Sequence, residues 1–169
     1  MRLSRLQILV LSILILLVVA AAIVFALYPT KSISYKNTVD ESLVRNDSSI
    51  QFGSQIISVR YAETFEDRAL GYSGTQHIPM NEGLVFVFEA PGRWSMWMKD
   101  MLVPLDIVWL DETGKVVHVE TGVAPETYPE QAFTPNADAR YVIEVASGTV
   151  ASSGLMVGDI VKVRGTQQQ

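Results

Sequence analysis

The sequence predicts a mainly β domain, a compact antiparallel β-barrel or sandwich with one or two short helices, preceded by one N-terminal transmembrane helix. Residues 6–27 form an apolar run of 22 residues that only Gln7 and Ser12 interrupt. Beyond residue 50, several segments of alternating or apolar character are separated by short links rich in glycine and proline, which is typical of antiparallel strands. The chain contains no cysteine, so the domain must rely on a hydrophobic core without disulfide bonds.

The N-terminal run is long enough to cross a bilayer. At about 1.5 Å per residue it spans a hydrocarbon core of roughly 30 Å, and it stays apolar beyond the small residues 20–22 at which a signal peptide would be cleaved. Residues 1–28 are therefore interpreted as a cytoplasmic stub and an uncleaved signal anchor. Arg2 and Arg5 favour a cytoplasmic N-terminus, which predicts a single-pass protein of the cell membrane with an extracytoplasmic domain.

The rest of the chain divides into a tether, one domain and a tail. Residues 29–49 are polar without a sustained period and predict a tether, residues 50–164 predict one globular β domain, and residues 165–169 predict a disordered tail. From residue 50 onward, 8 lysine and arginine residues stand against 15 aspartate and glutamate residues. Because no basic stripe exists, nucleic acid is not an expected partner. The membrane is the expected partner, through the N-terminal helix, and the sequence names no protein partner.

The domain begins with a predicted strand and a predicted short helix. The segment "QIISVRYA" (55–62) alternates between apolar and other side chains, which indicates a strand. Thr64 can cap the N-terminus of a helix, with Asp67 at the capping-box position. Gly71 or Gly74 can end that helix.

A run of four further strand signals follows. They are joined by short links, and Gly114 in the last link can adopt a positive φ in a bulged hairpin. Short links between such strands predict an antiparallel meander. The four segments are 84–89, 93–99, 104–111 and 115–121.

The last third of the domain opens with a long connection. Residues 122–138 contain three prolines and also Tyr128 and Phe133, so this segment is either a lid or binding loop or a loop pinned to the domain by its two aromatic residues. The remaining signals are a strand at 139–146, a helical turn at 147–154 closed by Gly154, and a final strand at 157–163.

The segment 93–110 gathers all three tryptophans and also carries charged residues. If 93–99 pairs with 104–111 so that Lys99 lies opposite Pro104, side-chain alternation gives one wholly apolar face. The other face then carries Trp97 directly opposite Asp106, with Lys99 as the diagonal neighbour. An indole flanked by an ammonium and a carboxylate predicts a site for a small polar ligand. The alternative is a structural Lys99–Asp106 ion pair that covers a small apolar cluster.

The motifs "RALGYSG", "GLVFVFE", "WSMWMKDMLVPLDIVWLDETGKVV", "ARYVIEV" and "GLMVGD" resemble an uncharacterised prokaryotic family, domain of unknown function 192. The resemblance covers about residues 58–163 and implies a compact β-barrel or sandwich, often exported or membrane-anchored, with no established activity. Where the family pattern has Leu-Met this chain has Tyr72-Ser73, and where it has Asn-Thr this chain has Asp100-Met101. The basic residue usual after the Leu-Met pair is missing. The positions that match the pattern are Arg68, Gly71, Gly83, Trp97, Met98, Lys99, Pro104, Asp106, Tyr141, Glu144, Gly158 and Asp159.

No catalytic motif is identifiable, so the sequence leaves open whether the protein is an enzyme. The glycine after the serine of "GYSG" (71–74) is at the wrong spacing for a nucleophile elbow. His77 and His118 lie 41 positions apart without a ligand motif, so neither a metal nor a cofactor is expected. The resemblance and the strand pattern together predict a ligand-binding cluster of Arg68, Trp97, Lys99, Asp106 and Glu144.

Three functional hypotheses follow from the sequence. The first is a membrane-tethered extracytoplasmic binding module for a small polar or saccharide-like ligand. The second is a hydrolase that uses Asp106 or Glu144 as its acid or base. The third is an assembly domain of the cell envelope that binds partners through the connection 122–138.

Overall fold

The computed structural model describes residues 48–165, which form one six-stranded sheet with two short α-helices. The predicted transmembrane helix and almost all of the predicted tether and tail lie outside these residues. Within 48–165, no helix has the length and apolar character needed to cross a bilayer. The strands are β1 (Ser48–Phe52), β2 (Gln55–Ala62), β3 (Glu82–Gly92), β4 (Leu105–Leu110), β5 (Val116–Val123) and β6 (Ala139–Ala146). The helices are α1 (Phe65–Leu70), α2 (Thr149–Ser153) and a 3₁₀ turn at Pro125–Thr127.

The sheet is mainly antiparallel and open, with strand order β1-β2-β3-β6-β4-β5. The prediction of a closed barrel or a two-sheet sandwich is therefore wrong, because β1 and β5 end the sheet and do not pair with each other. The predicted meander of four neighbouring strands is also wrong, because 93–99 forms no strand and β6 lies between β3 and β4; only its last pair, β4 with β5, is present. Strands β2 and β3 are parallel. A parallel pair needs a long crossover, and residues 63–81 supply it with α1 inside.

Five strand predictions, the helical turn at 147–154 and the start of α1 are confirmed. The structure has strands at 55–62 and 139–146, as the alternation predicts. Strands β3, β4 and β5 cover the predicted segments 84–89, 104–111 and 115–121 to within one or two residues, and Gly154 ends α2. The backbone N–H of Asp67 donates to Thr64 Oγ1 at 3.0 Å, and the backbone N–H of Thr64 donates to Asp67 Oδ2 at 3.4 Å. Gly71 then ends α1 with a φ of 52°. These features depend on neighbours in sequence, which is why local patterns find them.

The predicted strands 93–99 and 157–163 are wrong. Residues 93–99 form no strand, and their one sheet-like contact is the isolated bridge between Met96 and Phe133. The C-terminal segment makes a turn in which the backbone N–H of Met156 donates to Asp159 Oδ2 at 2.9 Å, and then bridges Lys115 through Ile160. Strand β4 pairs with β5 and β6 instead of with 93–99.

Both faces of the sheet are covered, which explains why all six residues of β4 are buried. We call one the C-terminal face, because α2 and the last residues pack on it through Val150, Leu155, Val161 and Val163. We call the other the loop face, because connections between strands cover it through Tyr72, Ile78, Met96, Met98, Met101 and Phe133. Side chains of β4 alternate between these faces, so Val108 contributes to the C-terminal face and Ile107 to the loop face.

The connection 122–138 is partly anchored to the domain. Phe133 is buried, and its backbone N–H and C=O both bond to Met96 at 2.8 and 2.9 Å. Tyr128 is 39% exposed and precedes a cis bond to Pro129. Of the two aromatic residues expected to pin this loop, Phe133 is the buried one. The use of the loop as a lid or partner surface stays a prediction.

Candidate functional site

Four of the five residues predicted to bind a ligand line one small pocket on the loop face: Arg68, Trp97, Lys99 and Glu144. The first of them is on α1, two belong to the connection between β3 and β4, and Glu144 is on β6. Ser73 and Tyr72, which follow α1, add hydroxyl groups to the same wall. We call this space the polar pocket, and it has a volume of about 30 Å³.

Glu144 lies at the inner side of the polar pocket. It sits between Leu84 of β3 and Ile107 of β4 in the sheet and is only 4% exposed. Burial raises the pKa of its carboxyl group from 4.5 to about 8, so the group is protonated near neutral pH. Its carboxyl receives no hydrogen bond from residues 48–165, and burial is the resolved cause of its pKa shift. Among the described residues, Arg140 Nε is the only fully buried side-chain polar atom without a hydrogen-bond partner. The carboxyl oxygens of Glu144 are therefore accessible from the polar pocket, where a ligand can bond to them.

The glycine at the end of α1 brings that helix close to Glu144. A Cβ atom on Gly71 would lie 3.9 Å from Glu144 Oε2 and 3.5 Å from Phe86 Cζ. The φ of Gly71, 52°, is in the region that L side chains rarely adopt. Gly71 therefore places the end of α1 over the carboxyl group and lets the chain turn there.

Tyr72 places a neutral phenol in the same wall. Its side chain is buried, and burial raises the pKa of the Tyr72 hydroxyl far above its ordinary value of 10.0, with a further increase from Glu144. Arg60 opposes this increase in part, and its guanidinium carbon lies 5.3 Å from the centre of the Tyr72 ring. The phenol consequently stays protonated and can donate or accept a hydrogen bond.

The side chains of Lys99 and Trp97 face solvent, while the backbone at Lys99 and Asp100 is bonded to the residues after α1. The Ser73 hydroxyl donates to the Lys99 carbonyl at 3.2 Å, and the backbone N–H of Gly74 donates to the Asp100 carbonyl at 2.8 Å. Trp97 is 59% exposed. In the part of the chain that the structure describes, Lys99 takes part in no ion pair. Its ammonium group is therefore available to a ligand.

The Arg68 side chain bridges α1 and β3 through hydrogen bonds to backbone carbonyls. Its Nη1 donates to the Glu63 carbonyl at 2.6 Å and to the Val87 carbonyl at 2.9 Å. Its guanidinium carbon lies 5.4 Å from the centre of the Phe88 ring. The side chain thus closes one wall of the polar pocket with a positive charge.

Asp106, the fifth predicted residue, is not part of this pocket. It alternates with Val108 and Leu110 along β4, so its side chain is on the C-terminal face, whereas Glu144 faces the loop face. The predicted Lys99–Asp106 neighbourhood, as binding pair or as ion pair, is therefore wrong. It assumed that 93–99 pairs with 104–111, and the structure gives β4 other partners on both sides.

Both carboxylate oxygens of Asp106 instead accept hydrogen bonds from backbone N–H groups. Asp106 is 0% exposed and accepts three hydrogen bonds, from the backbone N–H groups of Gly122 at 2.9 Å, Gly148 at 2.9 Å and Val150 at 3.0 Å. These contacts join β4 to the end of β5 and to the start of α2. A substrate cannot reach this carboxylate, so Asp106 cannot serve as the acid or base of a hydrolase.

A wide groove lined by aromatic residues adjoins the polar pocket, and the sequence did not predict it. We call it the aromatic groove; its volume is about 470 Å³. Its rings include Phe65, which is 74% exposed, and Phe88, which stacks on Trp94 with centroids 4.2 Å apart and planes 7° apart. The groove and the pocket share the walls Arg68, Ala69, Phe86, Met96 and Trp97.

The described residues bring together no metal-binding group. Among 48–165, no three His, Asp or Glu side chains come close enough to hold a metal ion. His118 instead lies 3.0 Å from Glu120 Oε1, with its ring edge against Trp109. His77 is exposed in the connection between α1 and β3.

Comparison with known proteins places the chain in a family without an assigned function. The sequence model of DUF192, described as Uncharacterized ACR, matches residues 48–163. The chain belongs to the DUF192 family. A UPF0127 protein of Thermococcus kodakarensis, TK1120, is 31% identical over 113 residues, which is 66% of this chain and 68% of that one. The chain spans about two thirds of the length of the curated relatives it matches.

Two solved structures share the fold of this DUF192 domain. A protein of unknown function from Novosphingobium aromaticivorans has a TM-score of 0.62 at 23% identity and covers 68% of this chain and 82% of its own. A protein from Sinorhizobium meliloti has a TM-score of 0.63 at 23% identity and covers 69% of this chain and 92% of its own. At this level of identity the similarity shows the fold alone.

The residues that match the DUF192 pattern have two kinds of surroundings. Five of them line the polar pocket, and others hold the fold. A Cβ atom on Gly83 would come within 3.1 Å of Val145 Cγ1, and Asp159 closes a turn by accepting from Met156. The five pocket residues are Arg68, Gly71, Trp97, Lys99 and Glu144.

This DUF192 domain also departs from the pattern inside the pocket. Where the pattern has Leu-Met, Tyr72 and Ser73 line the wall. Two residues with hydroxyl groups thus stand where the pattern has two apolar residues. The Ser73 hydroxyl bonds to the Lys99 carbonyl, which joins this part of the wall to the connection between β3 and β4.

Proposed function

We propose that this DUF192 domain is a binding module for small polar ligands, tethered to the cell membrane and exposed on its extracytoplasmic side. The single observation that carries the proposal is the carboxyl group of Glu144, which is buried, lacks a hydrogen-bond partner among residues 48–165 and faces a pocket lined by Lys99. A ligand that enters the pocket can form hydrogen bonds with this carboxyl group and meet the ammonium group of Lys99.

The membrane tether is supported by the sequence of the N-terminal region. The apolar run 6–27 has the length of a bilayer-spanning helix, and Arg2 and Arg5 precede it. Residues 28–47 then separate the run from β1. A polar connection of this length is typical of a tether between a membrane anchor and a domain.

The chemistry of the pocket favours ligands that carry hydroxyl, carbonyl or acidic groups. A protonated Glu144 carboxyl donates one hydrogen bond and accepts others, and the hydroxyl groups of Tyr72 and Ser73 can do the same. Lys99 adds three donors and a positive charge. A cationic ligand would meet Lys99 and Arg68 with no ionised carboxylate on the pocket wall at neutral pH, so cations are disfavoured.

Replacement of Lys99 by methionine is expected to weaken ligand binding at least tenfold without unfolding the domain. The side chain of Lys99 is exposed and forms no ion pair among the described residues, so its loss removes a ligand contact alone. The measurement is the change in tryptophan fluorescence on titration with glucose, N-acetylglucosamine, glucuronate, acetate and dialanine, because Trp97 lines the pocket. We expect a saturable change with at least one of these probes and at least a tenfold loss of affinity in Lys99→Met.

Lys162→Met is the matched control, because Lys162 is also an exposed lysine but lies in the C-terminal segment. It should bind as the wild type does. A fluorescence signal that no probe changes, or a probe that binds Lys99→Met as tightly as the wild type, would count against the proposed function.

Hydrolysis with Glu144 as general acid is a second candidate function. The observation that favours it is a carboxyl group whose pKa burial raises to about 8, since such a group can hold a proton at neutral pH and give it to a leaving group. Turnover of a bound probe that disappears in Glu144→Gln, with binding retained, would support it. Binding without turnover would leave the binding module as the function.

A further inference from the structure

We infer that the ligand of this site is a carbohydrate of at least two linked sugar rings, bound with a hydroxyl group of one ring in the polar pocket and the next ring against the aromatic groove. The inference rests on the proposed function and names the class of ligand. It depends on the way the two spaces join, on their different sizes and on the aromatic rings that line the larger one.

The two spaces are neighbours. Arg68, Phe86, Met96 and Trp97 line both of them, so one extended ligand can contact both. The polar pocket, about 30 Å³, has room for a group no larger than about one water molecule. The aromatic groove, about 470 Å³, falls in the range of about 300–1,000 Å³ that holds whole small molecules.

The floor of the aromatic groove is rigid. Trp94 stacks on Phe88 and its Nε1 donates to the Ala90 carbonyl at 3.1 Å, which fixes the plane of the indole. The carbonyl of Trp94 in turn accepts from Nε1 of the buried Trp109 at 2.8 Å. A preformed aromatic surface binds a flat partner with little loss of conformational freedom.

Two further rings stand exposed at this site. Phe65 is 74% exposed and Trp97 is 59% exposed, although both line the groove. Apolar surface of this size gains free energy when a ligand covers it. The faces of aromatic rings are negative, and they therefore attract the weakly positive C–H groups on the flat face of a sugar.

A sugar chain satisfies both parts of the site at once. Its C–H faces match Phe65 and Trp97, and its hydroxyl groups can bond to Glu144, Lys99 and Ser73. A purely aromatic ligand would leave the Glu144 carboxyl unpaired. A small polar ligand without an apolar face would leave the groove uncovered.

The inference is tested by comparing the affinity of the protein for single sugars with its affinity for linked sugars. The full-length protein, in a detergent without a sugar headgroup, is titrated with N-acetylglucosamine, with its β-1,4-linked dimer and tetramer, and with glucose, cellobiose and maltose, by calorimetry and tryptophan fluorescence. We expect at least one dimer to bind at least tenfold more tightly than its monomer. Phe65→Ser should remove most of that gain.

Ile56→Ser is the matched control, since Ile56 is 69% exposed on β2 and lines neither space. It should leave every affinity as in the wild type. Equal affinities for monomer and dimer in every pair, or a Phe65→Ser protein with unchanged dimer affinity, would overturn the carbohydrate inference.

The same titrations separate this inference from the proposed function. If acetate or dialanine binds with an affinity that Lys99→Met lowers at least tenfold, and no sugar binds, the binding module stands and the carbohydrate inference is wrong. If no probe of either kind binds, both are wrong.

Discussion

Replacement of Asp106 by asparagine is expected to lower the free energy of unfolding by about 2–4 kcal/mol, because it sets an NH₂ donor against a backbone N–H that now bonds to a carboxylate oxygen. The two carboxylate oxygens of Asp106 accept three hydrogen bonds of 2.9–3.0 Å. An asparagine keeps one oxygen and turns an NH₂ group toward at least one of these donors. The side chain is 0% exposed, so water cannot compensate.

The effect should be large because Asp106 connects three parts of the domain. Gly122, next to the last residue of β5, has a φ of 64°. Gly148, the N-cap residue of α2, has a φ of 91°. Both present their N–H groups to the same carboxylate. Loss of the carboxylate therefore loosens α2 and the connection after β5 together.

Urea unfolding followed by circular dichroism measures this loss, and Asp100→Asn is the matched control. Asp100 is exposed and has a φ of 57°, a conformation that asparagine adopts readily. Asp100→Asn should change the unfolding free energy by less than about 0.5 kcal/mol. An Asp106→Asn protein as stable as Asp100→Asn would show that the three backbone hydrogen bonds do not stabilise the fold.

The sequence predicts those parts of the fold that depend on neighbouring residues. Alternation over 55–62 and 139–146 identifies β2 and β6, and the spacing of Thr64 and Asp67 identifies the start of α1. Each of these signals acts within one strand or one helical turn. The start of the sheet at Ser48 was missed because residues 48 and 49 read as the end of a polar tether.

Strand pairing could not be read from the same patterns. All residues of β4 are buried, so alternation in that strand carries no information on which face meets solvent. The segment 93–99 alternates in the same way, yet it crosses the loop face and contacts Phe133 instead of β4. Which segments pair depends on the whole topology, including the parallel β2–β3 pair.

The sequence predicts only part of the candidate site, again because it does not show which segments pair. Arg68, Trp97, Lys99 and Glu144 do line one pocket, but α1 and the loops bring them together, and the assumed hairpin does not exist. Asp106 was assigned to the same face only because of that hairpin. The sequence does not predict the aromatic groove, because Phe65 and Trp94 are 29 positions apart and line the same space only in the folded domain.

Glu144 is expected to make the domain less stable as the pH rises from about 4 to about 8. Its pKa is about 8 in the folded state and 4.5 is its ordinary value, so the folded state holds a proton that the unfolded state has lost. The stability is then full below the unfolded pKa and decreases until the pH reaches the folded pKa. The decrease attributable to Glu144 should reach about 4–5 kcal/mol.

Glu144→Gln isolates this contribution, because glutamine has nearly the shape of the protonated side chain and does not titrate. Unfolding free energies of wild type and variant, measured in urea from pH 4 to pH 9, should agree at the acidic end. They should then diverge, with the variant more stable by about 4–5 kcal/mol at pH 8.5. The difference between the two proteins removes the contributions of all other titrating groups.

Glu89→Gln provides the control for a carboxyl group near the same site but in water. Glu89 is exposed at the rim of the aromatic groove, so its replacement should leave the pH dependence of the wild type unchanged. Parallel curves for wild type and Glu144→Gln between pH 5 and pH 8.5 would mean that the Glu144 carboxyl is solvated or paired. In that case the buried, unpartnered acid would no longer support ligand binding at the polar pocket.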